Sequence, residues 1–254
     1  MAYTCVTTSE RPDLEKEAEA AFKERWPEFI FHDPISRQYV GRVPELFPEL
    51  DILLLDDGAV VAGGWGVPFA FSGDLSDLPE GYDSALVRAI EDHEAGRTVT
   101  AFSFMAAAVR RDHDKSGLAQ RVLSELSRRA RAEGIERVFA PIRPTWKARY
   151  PMVPMARYAT WLRPDGLSID PWIRTHQRMG ARIIGPAPNS MVIPGTVSEW
   201  ETWADMPFPE TGKYVVPDAL GLLHVDREQD TAVYREENLW VEHDASALVN
   251  DGES

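Results

Sequence analysis

One segment restricts the architectures open to this chain more than any other: AVRRDHDKSGLAQRVLSELSRRARAEGIERVFAPIRP, residues 108–144. It closes an apolar run, TVTAFSFMAAAVR, whose β-branched and aromatic start reads as a strand. A short loop ending in Gly117, Leu118 and Ala119 follows. Between Lys115 and Glu133 the residues Leu118, Val122, Leu123, Leu126 and Ala130 form an apolar stripe at helical spacing, and Gly134 stops it. RVFAPIRP is then a second strand. Strand, long helix and strand predict a parallel pair with a right-handed crossover, because parallel neighbours need a connection of this length.

The flanking sequence predicts further elements. Residues 9–25 read as a helix with Ser9 as N-cap, and a weaker helix lies within ISRQYVGRVPEL, interrupted by Pro44. DILLLDDGAVVAGGWGVPFAF is a hairpin pattern around Asp56, Asp57 and Gly58. Residues 83–95 are expected to be helical. Residues 144–167 form a long loop rich in proline and aromatics, of the length that usually serves as a lid or as extra packing. DPWIRTHQRMG opens with Asp170 as N-cap and Pro171 at the first helical position, and ARIIG follows as a strand. Beyond it the chain mixes short strands and turns.

Composition narrows the partners. A formal charge of −14 argues against nucleic acid and anionic membranes, so a phosphorylated ligand has to be held locally by backbone N–H groups and a few cations. No apolar run approaches the roughly 20 residues of a membrane span. The N-terminus lacks the basic-then-apolar order of a secretory signal, and the single Cys5 leaves no internal disulfide; a cytoplasmic protein is expected. His113, His224 and His243 have no metal-ligand spacing, so no metal is expected.

The 113–119 loop has the chemistry to hold a diphosphate. Successive loop amides and the positive end of the following helix attract anions, and Gly117 with the small Ala119 lets a phosphate approach the backbone. The order of elements resembles the GNAT superfamily of acyl-CoA-dependent N-acyltransferases, most sharply at 109–122 and 170–181. DKSGLA is similar to that family's Gln/Arg-x-x-Gly-x-Gly/Ala loop, with Asp114 where the family has Gln or Arg. The resemblance covers roughly residues 50–195 and implies an α/β (α+β) fold, a mixed, strongly twisted central sheet flanked by helices, in a domain expected over residues 1–195 with 144–167 as a lid-like insertion. Residues 196–243 would be an extension packed on the same domain and 244–254 a disordered tail. It also implies acetyl-CoA or another acyl-CoA as co-substrate, contacted by the main chain of Ala107, Ala108 and Val109 and by Asp114, Lys115, Ser116, Gly117, Leu118 and Ala119.

His176 stands where many members have the tyrosine that protonates the departing CoA thiolate; Tyr150 and Tyr158 are alternatives. Trp172 and Met179 share its helical face, so a half-buried core histidine is the competing reading. DPWIRTHQRMGA is also similar to the GNAT-like branch of malonyl-CoA decarboxylases and polyketide loading domains. There a His works with a Thr or Ser hydroxyl, whose position falls near Ile142 in this chain; Thr145 is a substitute. Arg143 is a candidate for a substrate carboxylate, and Trp146 for a substrate wall. Lys147, Arg149 and Arg157 are either a solvated basic face or an anion site. The acceptor is a small molecule or a carrier-protein thiol. A homodimer through the C-terminal extension stays open, as do decarboxylation and a non-catalytic acyl-CoA-binding role.

Overall fold

The parallel pair lies in the middle of a nine-stranded mixed sheet. In the computed structural model, which describes residues 3–244, the strands are β1 (Thr4–Thr7), β2 (Asp51–Asp56), β3 (Ala59–Phe69), β4 (Ala101–Val109), β5 (Arg137–Ile142), β6 (Ala181–Gly195), β7 (Gly212–Val215), β8 (Leu222–Asp226) and β9 (Thr231–Asp244). Their order is β1-β2-β3-β4-β5-β9-β8-β7, with β6 also paired to β9. Only β4 and β5 run parallel; the other pairs are antiparallel.

Helix α5 (Leu118–Ala132) is the crossover between them. It buries Leu118, Val122, Leu123, Leu126 and Ala130, the stripe expected from the sequence, each large side chain contributing about 1.5–3 kcal/mol of transfer free energy. Gly64 is what lets α5 lie this close. A Cβ there would stand 2.6 Å from the Ala106 carbonyl oxygen and 2.7 Å from Val122 Cγ1. The opposite face of the sheet carries helices α1 (Glu15–Phe22) and α4 (Tyr82–Glu94), with Phe22 over Gly63 and Tyr82 against Trp65. Short helices α2 (Pro34–Tyr39) and α3 (Val43–Leu46) join α1 to β2.

Two features differ from what the sequence predicts, and the 144–167 insertion takes the packing alternative. Ser9 caps no helix: the chain turns at Thr7–Glu10, where Glu10 N donates to Thr7 Oγ1 and Thr7 N to Glu10 Oε2. The 144–167 insertion is packed, with a short helix α6 (Met155–Tyr158) and a Leu162–Ser168 bridge. Lys147 pins it from inside, its buried ammonium donating to the Tyr150 and Leu220 carbonyls. Finally, residues 196–243 complete the sheet instead of lying on it, because β9 pairs with β5 along the whole of β5 and with β6 on its other flank. Helix α7 (Pro171–Arg178) precedes β6, and α8 (Val197–Ala204) follows it. The expected 244–254 tail lies, after Asp244, outside the described residues.

Candidate active site

The two parallel strands stay together for only three residue pairs, Ala101–Arg137, Phe102–Val138 and Ser103–Phe139. From Phe104 onward the β5-facing edge of β4 has no strand partner among the described residues, and a gap opens toward Val109 and Ile142. A bulge marks the point of parting: Trp65 is opposite Ala106 and Gly66 opposite Phe104, which leaves Met105 without a partner on β3. Bulges bend a strand and re-aim its backbone groups, so the amides of Met105 and Ala106 lie where the gap begins. The small side chains of Ala106, Ala107 and Ala108 keep that edge low.

At the open end the chain passes into the 113–119 loop and α5. Lys115 (φ +65°) and Gly117 (φ +83°) are both left-handed, and Gly117 is the N-cap of α5. Alternating hand turns successive N–H groups to one side, the geometry of an anion nest. The amides of Gly117, Leu118 and Ala119 bond to no acceptor among the described residues. Asp114 turns away from this nest and pairs with Arg25. Arg110 is held by Asp112 and the Val60 carbonyl, and Arg111 lies 3.4 Å from Glu24. Lys115 and Ser116 are exposed at the loop's rim.

At the closed end of the gap lies His176, 1% exposed on α7. Its Nδ1 is 2.8 Å from His243 Nε2, and His243 Nδ1 is 3.4 Å from the Met179 carbonyl oxygen. A carbonyl only accepts, so His243 Nδ1 carries the proton, His243 Nε2 accepts from His176 Nδ1–H, and His176 Nε2 is left as a bare lone pair. That atom is buried and has no hydrogen-bond partner among the described residues. Burial lowers both imidazoles, His243 to about 4 and His176 well below its ordinary value, with the neighbouring His243 adding to the shift. The pair is therefore neutral, and His176 presents an acceptor. Phe104, the first residue of β4 beyond its pairing with β5, packs edge-on against His243.

No family model matches the sequence. The curated arginine N-acetyltransferase avaD of Aspergillus versicolor is 30% identical over 273 residues, an alignment covering 95% of this chain and 93% of that protein. The chain belongs to the GNAT superfamily of CoA-dependent acyltransferases. Among solved structures, the loading GNATL domain of CurA from Lyngbya majuscula superposes with a TM-score of 0.63 at 16% identity, over 97% of this chain and 99% of that domain. The GphF GNAT-like decarboxylase, solved with isobutyryl-CoA, gives 0.54 at 18% identity, over 96% and 100%. Both show the same fold.

Within this GNAT fold the insertion's residues separate by role. Tyr158 is buried and donates to Asp170 Oδ2 at 2.8 Å; burial, with Asp170 beside it, raises its pKa far above the usual phenol value. That phenol is held in a buried structural bond. Asp170 caps α7 through Trp172 N and Ile173 N and also accepts from the amides of Thr145 and Trp146. Tyr150 is exposed at the edge of an aromatic cluster with Tyr158 and Trp161. Trp146 stacks under the Arg149 guanidinium. Arg143 is committed to Glu236, with Nε 3.0 Å from Oε1, and to the Asp218 carbonyl. Ile142 is buried in β5, and Thr145 is exposed. The basic trio divides: Lys147 faces inward while Arg149 and Arg157 face solvent.

The sequence reading missed His243. It lies 67 residues from His176 with no local motif, and only the β9–β5 pairing brings it under α7. Among the described residues no helix is long and apolar enough to cross a membrane, and no cluster of three His, Cys, Asp or Glu could hold a metal.

Proposed function

We propose that this GNAT enzyme transfers the acetyl group of acetyl-CoA to a nitrogen of an arginine-type small-molecule acceptor. The observation that carries the reading is the gap between β4 and β5, with a bulge at its apex and an unfilled anion nest at its mouth. The diphosphate lies on the amides of Gly117 to Ala119, and the pantetheine arm takes the unpaired edge of Ala107 to Val109. The thioester then reaches Met105 and Ala106, whose N–H groups stabilise the oxyanion formed when the acceptor nitrogen attacks. Collapse breaks the C–S bond; the nitrogen loses a proton and the thiolate gains one. His176 Nε2, a neutral acceptor at the apex, carries that proton from nitrogen to sulfur. The arginine N-acetyltransferase activity of the relative avaD supports arginine as the first acceptor to test. A lone, half-buried Cys5 supports a cytoplasmic setting.

The pairing of Asp114 with Arg25 offsets the carboxylate that stands where the family has Gln or Arg, which supports a loop able to bind a diphosphate. Decarboxylation of a malonyl thioester is disfavoured because Ile142 offers no hydroxyl and Arg143 is tied to Glu236. The test is product mass after incubation with acetyl-CoA and arginine, and separately with malonyl-CoA alone. Acetylated arginine with free CoA is expected. Acetyl-CoA formed from malonyl-CoA, with arginine untouched, overturns the reading.

A further inference from the structure

On the sheet face opposite α5, under α1, lies a cavity of about 410 Å³. Its floor is one row of cross-strand neighbours: Asp51 on β2 is opposite Trp65 on β3, which is opposite Ala106 on β4. Directly opposite residues share a face, so the row runs from a carboxylate, across an indole, to the strand edge that receives the thioester. Two strand spacings make it about 10 Å long. The walls come from residues 18–31, with Phe22, Trp26 and Phe31 lining the space.

The charge of this cavity is unbalanced. Asp51, Glu19 and Glu28 line it against the single ammonium of Lys23. Glu28 has His32 at 3.4 Å. Asp51 receives one bond, from Thr8 Oγ1 at 2.9 Å, and no cation of the described residues pairs with it or with Glu19. Burial raises the Asp51 carboxyl to about 6, the behaviour of a carboxylate that lacks its counter-ion.

We infer that this cavity is the acceptor subsite, and that Asp51 binds a guanidinium of the acceptor laid flat on Trp65 while the reacting nitrogen lies at Ala106. A guanidinium suits the place better than an ammonium, since its planar fork matches a carboxylate and its face stacks on an indole. Trp26 covers the other side. This rests on the acetyltransferase reading and adds to it the residues that select the substrate.

The test is steady-state kinetics of Asp51→Asn and Trp26→Ala with arginine and with citrulline, whose ureido group is the neutral isostere of guanidinium. Calorimetric titration of arginine into the CoA-bound protein runs in parallel. Asp51→Asn is expected to raise the KM for arginine at least tenfold, to leave the KM for acetyl-CoA within twofold, and to leave citrulline unaffected. Trp26→Ala, on the cavity wall, is expected to weaken arginine in the same direction. Unchanged arginine KM in both variants overturns the inference while the transfer reading stands. If the wild type acetylates no amine, the transfer reading fails, and calorimetry decides this one. Arginine binding lost in Asp51→Asn sustains it; no arginine binding to the wild type overturns it.

Discussion

Replacing His243 by Gln should flatten the acid sensitivity of the fold. The wild-type imidazole is held near 4, against 6.5 in the unfolded chain, by burial. As pH falls below 6.5 the unfolded chain takes up a proton that the folded one refuses, so stability drops through that window and levels off below about 4. The full difference of 2.5 units corresponds to about 3.4 kcal/mol, and the part already lost at pH 5 to about 2 kcal/mol. His243 is 3% exposed, so solvent screening reduces this little. Two carboxyls run the other way: Asp51, raised to about 6, and Asp83, raised to about 8, keep their protons in the fold and lose stability as pH rises. The comparison with the variant cancels them. Gln keeps an acceptor for His176 Nδ1 and a donor for the Met179 carbonyl, but does not titrate. Urea unfolding at pH 7 and pH 5 is the assay. The wild type should lose about 2 kcal/mol more than His243→Gln between the two pH values. Equal losses would refute the neutral, buried pair and with it the tautomer assigned to His176.

Other consequences are simpler to measure. Gly117→Ala places a Cβ at φ +83° in open space, so it should cost about 1–2 kcal/mol from strain alone yet weaken CoA by a larger factor, read by calorimetry. Arg25→Ala frees Asp114 beside the nest and should weaken CoA several-fold, most at low salt, in a titration across ionic strength. Tyr158→Phe removes the bond to Asp170 and should lower unfolding free energy by about 1–3 kcal/mol while kcat stays within twofold, since this phenol is held in a buried structural bond. Gly64→Ala drives a methyl into Ala106 and Val122 and should destabilise by about 1–3 kcal/mol, seen as a lower urea midpoint.

The core of the fold was legible because its signals are local. The stripe on α5, the glycine at 117 and the Asp170–Pro171 start each declare themselves within a few residues. What escaped depends on pairs far apart in the chain. Asp114 finds Arg25 across 89 residues, so nothing near it in the sequence shows which cation balances its charge. The strand β9 buries Glu236 and Asn238 among its apolar residues, which breaks the alternation that would have announced a central strand. Glu236 is buried because Arg143, Tyr234 and Asn238 satisfy it, and the same contacts withdraw Arg143 from the substrate. The Asp51–Trp65–Ala106 row exists only through strand register, which hydrophobic pattern alone does not set across three strands.

The central claim is that an acyl-CoA lies with its diphosphate on the 113–119 loop and its arm along the free edge of β4. Hydrogen exchange of the backbone amides with and without acetyl-CoA tests it most directly. Protection confined to residues 105–109 and 117–119, with β7 and β8 unchanged, is the result expected. Acetyl-CoA that binds without slowing exchange at either segment would contradict the account.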